Sequence, residues 1–328
     1  MDRLPDKGSA GGVPRIEKSC YLELVRSQMH IPDGFLATPV WLGLDVAAAL
    51  AVGLVSRRAE RGLDEGAAPR LGVLGAFVFA AQMINFPVAA GTSSHLIGGA
   101  LLTAALGPSA AALVLTAILV IQALVFQDGG LLALGANVTN MALAGVMAAA
   151  VPLRYMPGKA GLFLAGASSV FLASALAIVE LRLSGVEMSA GVLRAALGVF
   201  VVSAAMEGLI TAAVMSAIER LDPAWAGQRV AGRSDRRVLG VLGVAAVVLG
   251  SAGALLASSL PDGLERLATN LGIAGRASAA SGPLADYQWQ AVTNPSAGKA
   301  MAGLAGLGII YVACRWLGHL MARRGSGG

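Results

Sequence analysis

The stretch "LLTAALGPSAAALVLTAILVIQALVF", residues 101–126, decides what kind of protein this is. It holds no charged side chain, and it lacks the polar/apolar alternation that a membrane barrel strand needs. Such a run reads as helix built to sit in hydrocarbon. Working outward, similar runs recur along the chain, separated by short charged loops. Of the 328 residues, 56% are hydrophobic and 13% charged, and the mean hydropathy is +0.72. Soluble domains carry about 25% charged residues. Spans are predicted at 38–56, 70–90, 94–106, 109–126, 132–151, 160–181, 190–218, 238–257 and 299–321. The 94–106 segment is short for a full crossing and is expected to be tilted or partly re-entrant. The expected fold is an all-α polytopic membrane protein: a seven-helix bundle followed by a two-helix unit with an outer loop.

Glycine is abundant, at 43 residues, and Gly303, Gly306 and Gly308 have the spacing that lets helices approach closely in lipid. The net charge of +5 does not point to nucleic acid, because the basic residues lie in loops. They cluster at Arg57, Arg58, Arg61 and Arg70, at Arg154 and Lys159, at Arg220, Arg229, Arg233, Arg236 and Arg237, and at Arg323 and Arg324. With nine spans all four clusters fall on one side, which the positive-inside rule makes the cytoplasm. The expectation is a multi-pass protein of the cell (inner) membrane with a cytoplasmic C-terminus. His30, His95, "FQDGG" (126–130) and the 258–298 loop then share the outer side.

The chain divides into a polar tail (1–28), a seven-span unit (29–218), a linker "ERLDPAWAGQRVAGRSDRR" (219–237) and a two-span unit (238–323). The tail has no apolar core and is not a signal peptide. Cys20 and Cys314 make neither a disulfide framework nor a thiolate metal site.

Catalytic signatures fail. The nearest approach to a phosphate-binding loop, "NPSAGKA" (294–300), has Thr293 where glycine is needed and Ala300 where Ser or Thr is needed. This chain therefore does not bind ATP by that motif, and an enzyme is not expected. Ser94 and His95 are adjacent, and neighbours on a helix point to different faces, so they are a poor nucleophile–base pair. No G-x-S-x-G or H-E-x-x-H motif occurs.

Metal remains. In "SQMHIPDGFLATPV" (27–40) a histidine follows a methionine just ahead of the first span. If the working chain begins at Met29, its free amine, the His30 amide nitrogen and the His30 imidazole can wrap one ion in adjoining chelate rings. His95 would complete four nitrogens, a tetragonal set that selects Ni(II), Cu(II) or low-spin Co(II). "IPDGF" would turn the chain into the first span, since Pro32 fixes φ and Asp33-Gly34 is turn chemistry.

"MHIPDGFL" (29–36), "FVFAAQMINFPVAAGTSSHLIGGAL" (77–101) and "FQDGGLLALGANVTNMA" (126–142) closely resemble the substrate-binding component of the cobalt/nickel energy-coupling-factor transporters, the CbiM/NikM family. "SLPDGLERLA" (259–268) resembles the two-span NikN/CbiN partner with its PDGLE motif, so the whole looks like a fused M–N polypeptide. The resemblance covers 29–323 and implies an S-component that captures Ni²⁺ or Co²⁺ as substrate from outside, with cobalt linked to cobalamin biosynthesis. It implies partners too: a CbiQ/NikQ-like transmembrane coupling protein and CbiO/NikO-like ATPase subunits, in membrane lipid and without nucleic acid. It implies the same ligands: Met29, His30 and His95. Family members usually begin at the Met of M-H-I, so residues 1–28 are expected to be a misassigned start or a disordered extension.

Other polar residues are candidates for the pocket or for orienting ligands: Asp33, Thr92, Ser94, Gln127, Asp128, Asn137 and Asn140. Asn137 and Asn140 share a helix face and either line the pocket or bond across helices. Glu180 reads as interfacial, paired with Arg182; Glu207 as a coupling or packing residue; Asp45 as lining the same cavity. Trp41 reads as an interfacial anchor and His319 as a residue near the cytoplasmic surface. The competing reading is a membrane assembly subunit with structural histidines and no ligand of its own.

Overall fold

The computed structural model describes residues 30–61, 63, 66–223, 236–253, 258, 260–277 and 282–325. Every predicted span is helical at its core. The first unit contains α1 (Thr38–Glu60), α2 (Ala67–Gln82), α3 (Gly99–Leu106), α4 (Pro108–Phe126), α5 (Leu134–Tyr155), α6 (Gly158–Leu183) and α7 (Ala190–Leu221). The second contains α8 (Arg236–Gly253), the short α9 (Gly263–Asn270) and α10 (Pro295–Gly325). Seven of these are long and apolar enough to cross a membrane, and α1 turns Leu42, Val46, Leu50 and Leu54 outward as one lipid-facing stripe.

Two predicted spans need correction. Residues 70–90 are not one crossing: α2 stops at Gln82, and Phe86–Ala89 and Thr92–Ser94 form an antiparallel hairpin, β1 and β2. Pro87 cannot donate a helical N–H and pushes Phe86 toward extended backbone, and Gly91, at φ 72°, makes the turn. Residues 94–106 contribute only the eight-residue α3, about 12 Å long at 1.5 Å per residue. That is well short of a hydrocarbon layer about 30 Å thick.

The two units pack into one body. α6 lies along α7, where Gly166 and Gly208 let the backbones touch. α10 lies along α2: a side chain at Gly75 would meet Cys314, one at Gly318 would meet Ala68, and one at Gly306 would meet Phe79. Gly303 packs on Gly250, but Gly308 faces open space and is not a packing glycine. Arg324 reaches Glu60 at 3.4 Å, so the basic ends of α10 and α1 share one end of the bundle. Most of the 219–237 linker, and the 1–28 tail, lie outside the described residues.

Candidate metal centre

At the other end of the bundle three distant segments converge: the 30–37 strap (which turns at Asp33-Gly34), the turn after β2, and the 127–133 loop. The strap is held by its backbone. Asn137 accepts the Ile31 amide at 2.9 Å and donates to the Ile31 carbonyl at 3.1 Å; the Gly130 amide donates to the same carbonyl at 2.9 Å. Asp33 accepts three successive amides, from Leu131, Leu132 and Ala133, at 3.2, 2.8 and 3.2 Å. Asp45 on α1 accepts the Gly135 amide at 2.6 Å. The paired glycines of "QDGG" are needed here. A Cβ at Gly129 would come within 2.8 Å of His30 Cβ, and one at Gly130 would collide with Asp33.

This clamp buries His30, whose Nδ1 lies 3.1 Å from Asp128 Oδ1. Its Nε2 is buried with no partner. Across a cavity stands His95, ring centroids 6.0 Å apart and planes tilted by 56°. That spacing falls within the roughly 4.5–6.5 Å open to two imidazoles whose nitrogens each sit about 2 Å from one ion. Ser94, Asn137, Asn140 and Asp262 share the cavity wall.

The turn that carries His95 is fixed from behind. Its Nδ1 lies 3.0 Å from the Leu96 carbonyl oxygen. Glu207, buried on α7, accepts the amides of Ile97 and Gly98, both at 2.8 Å, and Gln82 donates to the Ile97 carbonyl at 2.8 Å. Gly98 takes φ 77°, with Val78 where a Cβ would be. Sequence reading gives Glu207 no partner, because the amides that donate to it lie in a turn far away in the chain and leave no pattern.

The second unit closes the site. Ser93 forms a bridge with Asp262, its amide donating to the Pro261 carbonyl and its hydroxyl to the Leu260 carbonyl, each at 2.7 Å. The PDGLE motif is a helix start: Asp262 caps α9 by accepting the Glu265 amide at 2.7 Å, and Glu265 reaches back to the Asp262 amide. Burial pushes the Asp262 carboxyl up to about 6 and the Glu265 carboxyl up to about 7. For Asp128 burial also raises the carboxyl, but the charge and hydrogen bond of His30 and the Tyr287 hydroxyl outweigh it and hold it below its ordinary value.

Of the residues singled out in the sequence, His30, His95, Ser94, Asn137 and Asn140 line the cavity. Asp128 stands behind His30. Asp33, Asp45 and Gln127 are spent on backbone amides instead, Gln127 on that of Gly282 at 3.2 Å, and Thr92 is buried in β2 away from the cavity wall. Met29 lies outside the described residues. Glu180 is not an interfacial partner of Arg182: it is buried and accepts Asn140 Nδ2 at 2.9 Å. Among the described residues no three His, Cys, Asp or Glu side chains converge on one point.

Comparison with known proteins bears on what this cavity is. The family described as the cobalt uptake substrate-specific transmembrane region, CbiM, matches residues 30–225, and the PDGLE domain matches 236–323. A protein of Archaeoglobus fulgidus assigned as a fused nickel transport protein NikMN is 35% identical over 86% of this chain and 95% of its own. The fused nickel transport protein NikMN of Rhodobacter capsulatus is 29% identical over the same shares, 86% and 95%. A crystal structure of a transition metal transporter superposes with a TM-score of 0.54 at 29% identity, over 60% of this chain and 94% of that one.

Proposed function

We propose, because this chain belongs to the CbiM family with a PDGLE domain fused behind its CbiM region, that it is the metal-capturing component of a nickel or cobalt importer. The substrate is Ni²⁺ or Co²⁺, taken at the outer face between His30 and His95. The ion then passes inward with the help of a transmembrane coupling protein and ATPase subunits, which supply the energy this chain does not. The C-terminus and the arginine-rich ends of α1 and α10 face the cytoplasm.

One observation carries the reading: two imidazoles face each other across a cavity with ring centroids 6.0 Å apart. Borderline ions such as Ni²⁺ and Co²⁺ favour imidazole, and hard ions do not. Two imidazoles alone hold an ion weakly, so the amine of Met29 and the His30 amide nitrogen complete the set. A chelate closed through that amide requires Nδ1 of His30, because only Nδ1 gives a six-membered ring. On loading, the imidazole therefore turns about its Cβ–Cγ bond, a soft two-fold torsion. Nδ1 goes to the ion, and the Nε2–H side turns toward Asp128, the usual arrangement of a carboxylate behind a metal-bound histidine.

The test is metal analysis of two forms of the protein, one beginning at Met29 and one at Met1. The Met29 form is expected to bind one Ni²⁺ or Co²⁺ with a low-spin signature, and His30→Ala or His95→Ala to abolish tight binding. Full-strength loading by the Met1 form with its tail attached, or by either variant, would overturn the ligand set.

A further inference from the structure

Behind Asp128 stands a residue of the other unit. The hydroxyl of Tyr287, between α9 and α10, lies 2.6 Å from Asp128 Oδ2, while Asp128 Oδ1 meets His30 Nδ1 at 3.1 Å. The direction of the first bond is fixed. Gln122 Nε2 donates to the same phenolic oxygen at 3.0 Å, so the Tyr287 proton is left to go to Asp128. Gln122 Nε2 lies 3.0 Å from Gln82 Oε1 as well, and Gln82 Nε2 holds the Ile97 carbonyl beyond His95. One polar chain thus runs behind the cavity from one imidazole's carboxylate to the turn that carries the other.

A second observation marks the same contact. Among the described residues, the non-glycine residues with positive φ are Gln127 at 54°, Asp286 at 55° and Tyr287 at 55°. They flank this one interaction from its two sides. Left-handed backbone is disfavoured for side chains with a Cβ and persists where surrounding contacts hold it. Those contacts are visible: Gln127 accepts the Gly282 amide, and the Tyr287 ring stacks on Phe126 with centroids 4.8 Å apart and planes 16° apart.

We propose that the fused C-terminal unit contributes a positioning residue to the metal site: the Tyr287 hydroxyl fixes the Asp128 carboxylate, and that carboxylate orients the His30 imidazole. This rests on the reading that His30 is a ligand. Packing alone does not account for the hydroxyl, since phenylalanine would stack on Phe126 equally well. The carboxylate, gripped on one oxygen, presents the other to the imidazole at a fixed angle. The unit that carries PDGLE thereby tunes how tightly, and with what ligand field, the ion is held.

The experiment compares the wild-type chain, Tyr287→Phe, Asp128→Asn and the double variant, all with the same N-terminus. Each is loaded with Ni²⁺ alone, and loss to a chelator and the ligand-field absorption of the bound ion are measured. Tyr287→Phe is expected to lose metal about 10-fold faster with a shifted band, and Asp128→Asn about 10- to 100-fold faster. The double variant should match Asp128→Asn, because the tyrosine acts through the aspartate. A wild-type chain that loads while Tyr287→Phe keeps its rate and band overturns the proposal. So does an equal effect of Tyr287→Phe with and without Asp128. A wild-type chain that takes up no Ni²⁺ overturns the ligand reading and this inference together.

Discussion

The carboxylate of Glu207 accepts the amide of Gly98 at 2.8 Å inside the bundle. A charged residue at the centre of a membrane costs about 2.5–3.5 kcal/mol on insertion scales, so it needs work to do. Here it accepts two amides just before α3 and fixes the turn two residues beyond His95. Glu207→Ala leaves both amides buried without an acceptor, at about 1–3 kcal/mol each. Lower thermal stability in detergent and loss of Ni²⁺ binding are expected together. Glu207→Gln keeps one acceptor oxygen and should fall between. Wild-type metal affinity in the alanine variant would show that the turn holds its shape unaided.

Asn137 makes a sharper test of the strap, because it serves as donor and acceptor to one residue, Ile31. Asn137→Asp keeps an acceptor for the Ile31 amide but sets a carboxylate oxygen against the Ile31 carbonyl. Asn137→Ala removes both bonds. Both variants should weaken metal binding by about 10-fold or more, as changes behind a ligand do. The aspartate should be no better than the alanine. Titration with Ni²⁺ decides, and an aspartate variant that binds like wild type would mean the donor half of the clamp is idle.

How much of this the sequence discloses depends on the residue. Spans were legible because apolarity is a local property, and His30 and His95 because histidine is rare in this chain. Putting His30, His95 and "FQDGG" at one end followed from the spacing of arginine clusters, and the three do meet there. The hairpin was hidden, since "FPVAAGTSS" is apolar enough to pass for membrane; Pro87 was the available signal. Proximity in sequence suggests Arg182 as a partner for Glu180, but residues two apart do not share a helix face. Its true partner, Asn140, sits on another helix. The PDGLE helix start was open to prediction, because Asp and Glu three apart ahead of leucine is a capping box. The links from Glu207 to the turn and from Tyr287 to Asp128 are tertiary and have no period to find.

Two glycines separate backbone strain from crowding. Gly98 (φ 77°, ψ 0°) and Gly107 (φ 79°, ψ 162°) both take positive-φ backbone that side chains with a Cβ rarely adopt, but a Cβ at Gly98 would run into Val78, whereas Gly107 faces open space. Gly107→Ala should cost about 1–3 kcal/mol, because its φ of 79° with ψ of 162° is a conformation almost restricted to glycine. Gly98→Ala should cost about 1–2 kcal/mol for left-handed backbone and about 1–3 kcal/mol more for overpacking against Val78, and it should also displace His95. Melting in detergent with and without Ni²⁺ distinguishes them: metal should still raise the melting temperature of the Gly107 variant but not of the Gly98 variant. Equal behaviour would mean Val78 moves aside at no cost.

The PDGLE segment should respond to pH in the sense opposite to the metal. Burial raises Asp262 from 3.8 to about 6; burial, and then the Asp262 charge, raise Glu265 from 4.5 to about 7. A raised carboxyl means the docked segment holds protons that an undocked one releases. Its contribution to docking is complete below the ordinary values, 3.8 and 4.5, and is lost as pH climbs through about 6 and about 7. Metal capture runs the other way, because imidazole and amide nitrogens must be deprotonated to bind. Hydrogen exchange of the 263–270 amides, corrected for intrinsic rates, should show more protection at about pH 5 than at about pH 8. Glu265→Gln keeps the capping box, because glutamine serves at that position, and has nothing to titrate there. It should therefore flatten most of the pH slope while leaving α9 formed. Protection that rises with pH in the wild type would show that these carboxyls are ionised in the docked state, and that water reaches the junction between Ser93 and Asp262.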